Sequence, residues 1–397
     1  MRHFLTGPKL FTGDEVIEGH GIFVEEGRIA GVLPVGGDPP AGAQLVPLEP
    51  GALIAPGFID IQVNGGGGVL FNDQPTVEGA LAIAAAHRRF GSTGILPTII
   101  TDAPERMRDA AQAVVEAVRR PASGVLGIHI EGPFINPERA GAHDRRFIRK
   151  PTEDDLAFLC GLSETLQGRV LLTLAPECVE DAALVRLVEA GVAVSVGHTA
   201  ASAERVAEVL QLGARAFTHL FNAMPAIVNR QPGPAGAALA DRGAWAGLIV
   251  DGHHVHPTLL RAALAARPRE RMLLITDAMP PTGTEQTSFA LNGRTIFRRD
   301  GRLVLADGTL AGADLDMAAA VRNARNLLGL PLEDALRMAS LYPAEFLGME
   351  RERGRIAAGY RADLVLLGPE GEVRATWIDG RRRDAGDPGE ALSAERR

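Results

Sequence analysis

Eight short apolar runs, most of them separated by segments of helical period, occupy the chain between residues 53 and 277. No other feature limits the fold so strongly. The runs are 53–63, 93–100, 124–131, 170–174, 192–197, 215–219, 246–251 and 272–277, with helical segments at 77–90, 103–119, 152–167, 179–190 and 202–211. Repeated βα units close into a parallel barrel or lie open as a doubly wound sheet. Eight strands suit the α/β class of (β/α)8 TIM-like barrel, and no G-x-G-x-x-G turn follows the first strand to recommend the open sheet.

A barrel of this kind needs roughly 250 residues, so a chain of 397 residues carries something more. Short β segments at 3–9, 16–25 and 28–35, punctuated by G-D, E-E-G and G-G-D-P-P, precede the barrel, and the same texture returns at 353–368 and 373–381. Neither fragment buries a face alone, so the two are expected to pair. The expected division is a discontinuous small β-sandwich domain from 1–54 and 350–384, and a barrel over 55–349. A β-hairpin insertion near 285–310 is read from its N-G and D-G turns. The charged end, with its R-R-R run from Arg381, reads as solvated, and 385–397 as a flexible tail.

The net charge of −8 and pI near 5.7 argue against general affinity for nucleic acid or an anionic membrane. Two cysteines, Cys160 and Cys178, stand in no metal-like spacing, and no apolar run approaches the roughly 18 residues of a membrane span. No signal-like core opens the chain, so a cytoplasmic setting is the expectation.

The polar residues sort by strand. Run one ends in Asp60 and Gln62, run three in His129 and Glu131, run five in His198, run six in His219, run seven in Asp251 with His254 beyond it, and run eight in Asp277. All lie at C-terminal strand ends, where barrel enzymes place their chemistry. Either histidine alone is as easily a polar strand terminus as a ligand. Together, Glu131, His198 and His219 suit one divalent ion with an open position for water, and Asp277 supplies a carboxylate for proton transfer. Zinc is the default, with iron, cobalt or manganese as alternatives.

Several stretches then carry a resemblance: A-P-G-F-I-D-I-Q-V-N-G from Ala55, G-I-H-I-E-G-P-F from Gly127, G-A-H ending at His143, G-H-T around His198, T-H-L-F-N-A-M-P from Thr218, D-G-H-H-V from Asp251, I-T-D-A from Ile275 and L-A-G from Leu310. Over nearly its whole length the chain resembles the N-acetylglucosamine-6-phosphate deacetylase family of the amidohydrolase superfamily. The resemblance implies a metal-dependent hydrolase of amino-sugar catabolism, acting on the acetamide of a phosphorylated amino sugar. It implies Glu131, His198 and His219 as ligands and Asp277 as general base and acid. It also implies His143 at the substrate carbonyl, and Asn222, the Ala223 backbone, Arg230 and His254 at the sugar phosphate. A homodimer is implied too, with Arg230 reaching the partner's site.

Asp60 and Gln62 stand where the superfamily usually has an H-x-H pair, so a single ion per subunit is expected. These two residues and His129 are read as supporting the site from behind. Ala313 and Asp314 depart from the small hydroxyl residue common after L-A-G, which leaves that loop's role open. His253 and His256 are read as flanking the functional His254, His87 as a surface residue, and the glycine run from Gly65 as backbone passing close to the site. The galactosamine epimer of the substrate, another small amide, and a non-catalytic barrel are the competing readings.

Overall fold

The structure, a computed structural model, describes residues 2–386. Its centre is a sheet of eight parallel strands in sequential order: Phe58–Val63, Ser92–Ile100, Ile128–Glu131, Val170–Leu174, Ala193–Val196, Ala216–Phe217, Trp245–Ile249 and Met272–Ile275. We number them barrel strands one to eight. The ring closes where the Asp277 amide donates to the Gln62 carbonyl at 3.0 Å and the Asn64 amide to the Ala278 carbonyl at 2.9 Å. Barrel strands one, two and eight are buried along their whole lengths. That is why Met272–Ile275 reads as a continuous apolar run, whereas Phe58–Val63 keeps two buried polar residues, Asp60 and Gln62, on one face.

Helices cover the ring as the periodicity predicts. Val77–Arg88 starts at Thr76, whose side chain accepts from the Gly79 amide, and Glu153–Thr165 starts in a full capping box between Thr152 and Asp155. Ala203–Gln211 is capped by Ser202. These caps fix where each βα loop ends, and so how far it reaches over the barrel mouth.

The 53–63 run is two strands. Leu53–Pro56 pairs antiparallel with Leu364–Leu367 outside the barrel, and Phe58–Val63 enters it. Gly57 makes the corner: a Cβ there would lie 2.1 Å from Thr93 Oγ1, a contact only glycine avoids. A four-stranded sheet from the N-terminal segment faces a six-stranded sheet that joins both chain ends. Leu5, Ile22, Val24 and Ile29 pack there on Leu10, Ile54, Leu364, Leu366 and Trp377 as a core separate from that of the barrel.

Three expectations change. Arg381–Asp384 is an edge strand paired with Ala375–Ile378; alternation was hidden by its charge. The tail reading for 387–397 lies outside the described residues. The insertion is a three-stranded antiparallel sheet, Ser288–Leu291, Arg294–Arg299 and Arg302–Val304, because both Asn292-Gly293 and Asp300-Gly301 take the positive φ of tight hairpin turns. His87 is fully buried, with Nε2 2.9 Å from the Gly65 carbonyl. Its helix packs that face on the glycine run, where a Cβ at Gly66 would come within 2.7 Å of His87 Nε2.

Candidate active site

Glu131 ends barrel strand three, and His198 and His219 each lie two residues beyond the end of strands five and six. Glu131 Oε1 lies 3.0 Å from His198 Nε2 and 2.9 Å from His219 Nε2, and the two imidazole nitrogens are 3.1 Å apart. All three side chains are buried. His198 Nδ1 donates to the Arg139 carbonyl at 2.7 Å, which directs the Nε2 lone pair at the cluster. Two ring nitrogens that face each other while sharing a carboxylate oxygen leave room for one proton between them. A shared cation would satisfy all three lone pairs, and one carboxylate with two imidazoles fits a divalent ion of the zinc type.

Asp277 stands beside this cluster. Its Oδ1 accepts from Gln62 Nε2 at 3.2 Å and from Asn64 Nδ2 at 2.6 Å, and the same Gln62 amide lies 3.3 Å from each Glu131 oxygen. Gln62 is therefore a neutral bridge between two carboxylates. Burial, and then the charge of Glu131, push Asp277 up to about 6, close to the neutral range that favours accepting and returning a proton. Glu131 differs: burial alone would raise it, but hydrogen bonds and charge from His198 and His219 hold it well below the usual range. Burial lowers His219, and the hydrogen bond and charge of Glu131 more than reverse this.

His143 arrives on the loop after strand three, its ring 4.4 Å from that of His198. Burial, and then the charge of His198, push it down to about 3, so it is a neutral ring at working pH. Glu131, His143 and His198 each offer an atom within 4.8 Å of the others, yet the shortest mutual contacts join Glu131, His198 and His219. His254 is oriented by Asp251, Nδ1 to Oδ2 at 2.5 Å. A cavity of about 500 Å³ joins these groups to Asn222, Ala223 and the 308–312 segment. A larger groove of about 910 Å³, beside Val24, Arg361 and Trp377 in the sandwich, gathers no comparable set of ligand atoms.

Other singled-out residues sit apart from the cavity. His129 Nε2 lies 2.7 Å from Thr173 Oγ1, and hydroxyl contacts of 2.6 Å continue to Thr218 and Ser195, forming a buried chain beneath the cluster. Asp60 is fully buried and accepts from Thr276 Oγ1 at 2.5 Å, and burial raises it to about 7. His253 and His256 are exposed. Arg230 is exposed on its loop and does not line its own chain's cavity. The Ala313 amide donates to the Asp277 carbonyl at 2.9 Å, and Arg298 Nε to Asp314 at 2.6 Å. The loop left open by the sequence thus braces the end of strand eight.

Similarity agrees with this geometry. The amidohydrolase family model matches residues 53–383. The chain belongs to the amidohydrolase family. It is 42% identical to N-acetylgalactosamine-6-phosphate deacetylase of Shewanella sp. (strain ANA-3), over 94% of each chain. It is 32% identical to N-acetylglucosamine-6-phosphate deacetylase of Haemophilus influenzae, over 97% of this chain and all of the relative. The crystal structure of N-acetylglucosamine-6-phosphate deacetylase from Pasteurella multocida superposes with a TM-score of 0.92 at 32% identity, covering 97% of this chain and 100% of that one.

This amidohydrolase also uses residues that sequence reasoning did not single out. Asn64, on Asp277, had a signal: alternation places 60, 62 and 64 on one face of strand one and its extension. Glu177 accepts from Asn136 Nδ2 at 2.9 Å, Thr199 Oγ1 at 2.5 Å and the Ala200 amide at 2.7 Å. It ties the loop after Glu131 to the loop after His198, a long-range contact with no local signature.

Proposed function

We propose that this amidohydrolase hydrolyses the acetamide of N-acetyl-D-glucosamine 6-phosphate to D-glucosamine 6-phosphate and acetate. The observation that carries this is the convergence of Glu131, His198 and His219 with Asp277 beside them, in a chain whose full-length relatives carry deacetylase names. In this reading Glu131, His198 and His219 hold one divalent ion, zinc by default. When bound, such an ion polarises an acyl oxygen and lowers the pKa of water toward about 7.

The chain's own groups do the rest. Asp277 takes the proton of the attacking water and returns it to the departing nitrogen. Gln62 and Asn64 occupy its Oδ1, which reserves Oδ2 for that transfer. His143 donates to the oxygen on which charge develops. Asn222, the Ala223 backbone and His254 line the cavity and hold the sugar phosphate. Arg230, exposed beside Ile227 and Val228, which are 43% and 51% exposed, reaches the neighbouring site of a homodimer, where its planar cation pairs with the phosphate. The setting proposed is the cytoplasm; among the described residues no helix is long and apolar enough to cross a membrane.

The Shewanella relative, at 42% identity, favours a second reading in which the galactosamine epimer is the preferred substrate. Acetate release by metal-loaded protein from both epimers, each with and without the 6-phosphate, tests both. The proposal expects turnover of phosphorylated N-acetylhexosamines, with the glucosamine form ahead. Faster turnover of the galactosamine form would select the second reading, and no release from any of the four would overturn both.

A further inference from the structure

We propose that Thr101 is a positioning residue which holds His143 as the tautomer protonated on Nε2, making that histidine a hydrogen-bond donor and not a metal ligand. The inference deepens the deacetylase reading and rests on it. Thr101 follows barrel strand two and is 1% exposed, and His143 is 5% exposed. Two Thr101 atoms meet the same ring nitrogen: the backbone nitrogen lies 3.3 Å from His143 Nδ1 and Oγ1 lies 2.8 Å from it.

The backbone contact decides the tautomer. A peptide N–H can only donate, so Nδ1 must present its lone pair, and the single proton of a neutral imidazole then sits on Nε2. The hydroxyl alone would leave the matter open, because Oγ1 can donate or accept and also lies 3.4 Å from the Glu131 carbonyl. With the amide pointing at Nδ1, the hydroxyl donates there as well.

The neighbouring strand makes room for this arrangement. A Cβ at Gly132 would fall 2.1 Å from Thr101 Oγ1, so the residue after Glu131 must be glycine for the hydroxyl to reach His143. The consequence bears on the metal. Distance alone admits His143 as a ligand beside Glu131 and His198, but a nitrogen that carries a proton has no lone pair to give. His198 is set in the opposite sense, since its Nδ1 donates to the Arg139 carbonyl at 2.7 Å. Two adjacent histidines thus receive opposite tautomers from two backbone groups, one an N–H and one a C=O.

The test combines a tautomer measurement with a double-mutant cycle. In metal-free protein labelled with 15N-histidine, and assigned by loss of the signal in His143→Gln, His143 should show the proton on Nε2. Thr101→Val, which keeps the peptide N–H but loses the hydroxyl, should retain the Nε2 proton while the ring is held by one contact instead of two, and Thr101→Ser should keep the wild-type signal. Zinc per chain should be unchanged in Thr101→Val and in His143→Ala. Thr101→Val should lower kcat about tenfold, the scale of one hydrogen bond, with KM little altered. In the His143→Ala background the same change should cost nothing further. A wild-type proton on Nδ1, loss of zinc in His143→Ala, or penalties that multiply in the double variant would each overturn the proposal. Failure to hydrolyse any acetamide would strike the deacetylase reading, while the ring proton and zinc content would still decide the tautomer.

Discussion

His198, His219 and Asp277 share an uncommon backbone conformation, with φ of 48°, 29° and 52°. Residues other than glycine rarely adopt it, and each instance costs on the order of 1–3 kcal/mol unless local hydrogen bonds compensate. The gain is direction: a strand that ends in a left-handed residue throws that side chain across the barrel mouth. Asparagine tolerates this region well, so Asp277→Asn should keep the backbone and the metal while removing the proton acceptor. Turnover should fall about 10²–10⁴-fold with zinc content unchanged; near-normal turnover would mean that the base lies elsewhere. The strand-end acids and histidines were legible because each terminates an apolar run. Choosing His254 over His253 and His256 rested on resemblance alone, and the structure separates them by the Asp251 contact. Thr101 was illegible because its partner lies 42 residues away and its space is made by Gly132.

At the scale of elements, the glycine run and the helix carrying His87 show where pattern reasoning failed. An alanine-rich helix has little amphipathic contrast, so its buried face could not be read from the residues around His87. Burial lowers His87 to about 4, against about 6.5 when unfolded. Between these values the unfolded chain binds a proton that the folded chain refuses, so stability falls as pH drops from about 6.5 toward 4, by on the order of 3 kcal/mol at most. His87→Gln keeps a donor for the Gly65 carbonyl without a titrating group. Its melting temperature should fall less than that of the wild type between pH 7.5 and 5, and equal slopes would contradict the assignment. The three-stranded insertion reaches the site by another route: Asn292 Nδ2 and Arg294 Nη2 both donate to the Ala142 carbonyl, at 3.0 and 2.7 Å. It therefore grips the residue before His143. Its turns were visible in N-G and D-G, whereas its third strand and its contact were not.

For the whole molecule, the barrel was legible from eight repeats of one pattern, and the sandwich from two β fragments that could not stand alone. Arg230 is exposed and does not line its own chain's cavity, so the proposed phosphate role places it in the site of a neighbouring subunit. Mixing Arg230→Ala with Asp277→Asn tests the shared site: if Arg230 acts across the interface of a symmetric dimer, about a quarter of all sites recover both groups after reassortment. Subunit exchange without recovered activity would assign Arg230 to its own chain. The central claim is narrower, that one ion held by Glu131, His198 and His219 serves hydrolysis with Asp277 beside it. Zinc titration of metal-free protein, with acetate release from N-acetylglucosamine 6-phosphate measured at each step, tests it most directly. The account predicts a linear rise that breaks at about one equivalent per chain and is abolished in His198→Ala and His219→Ala; a break at two equivalents, or full activity without metal, would contradict it.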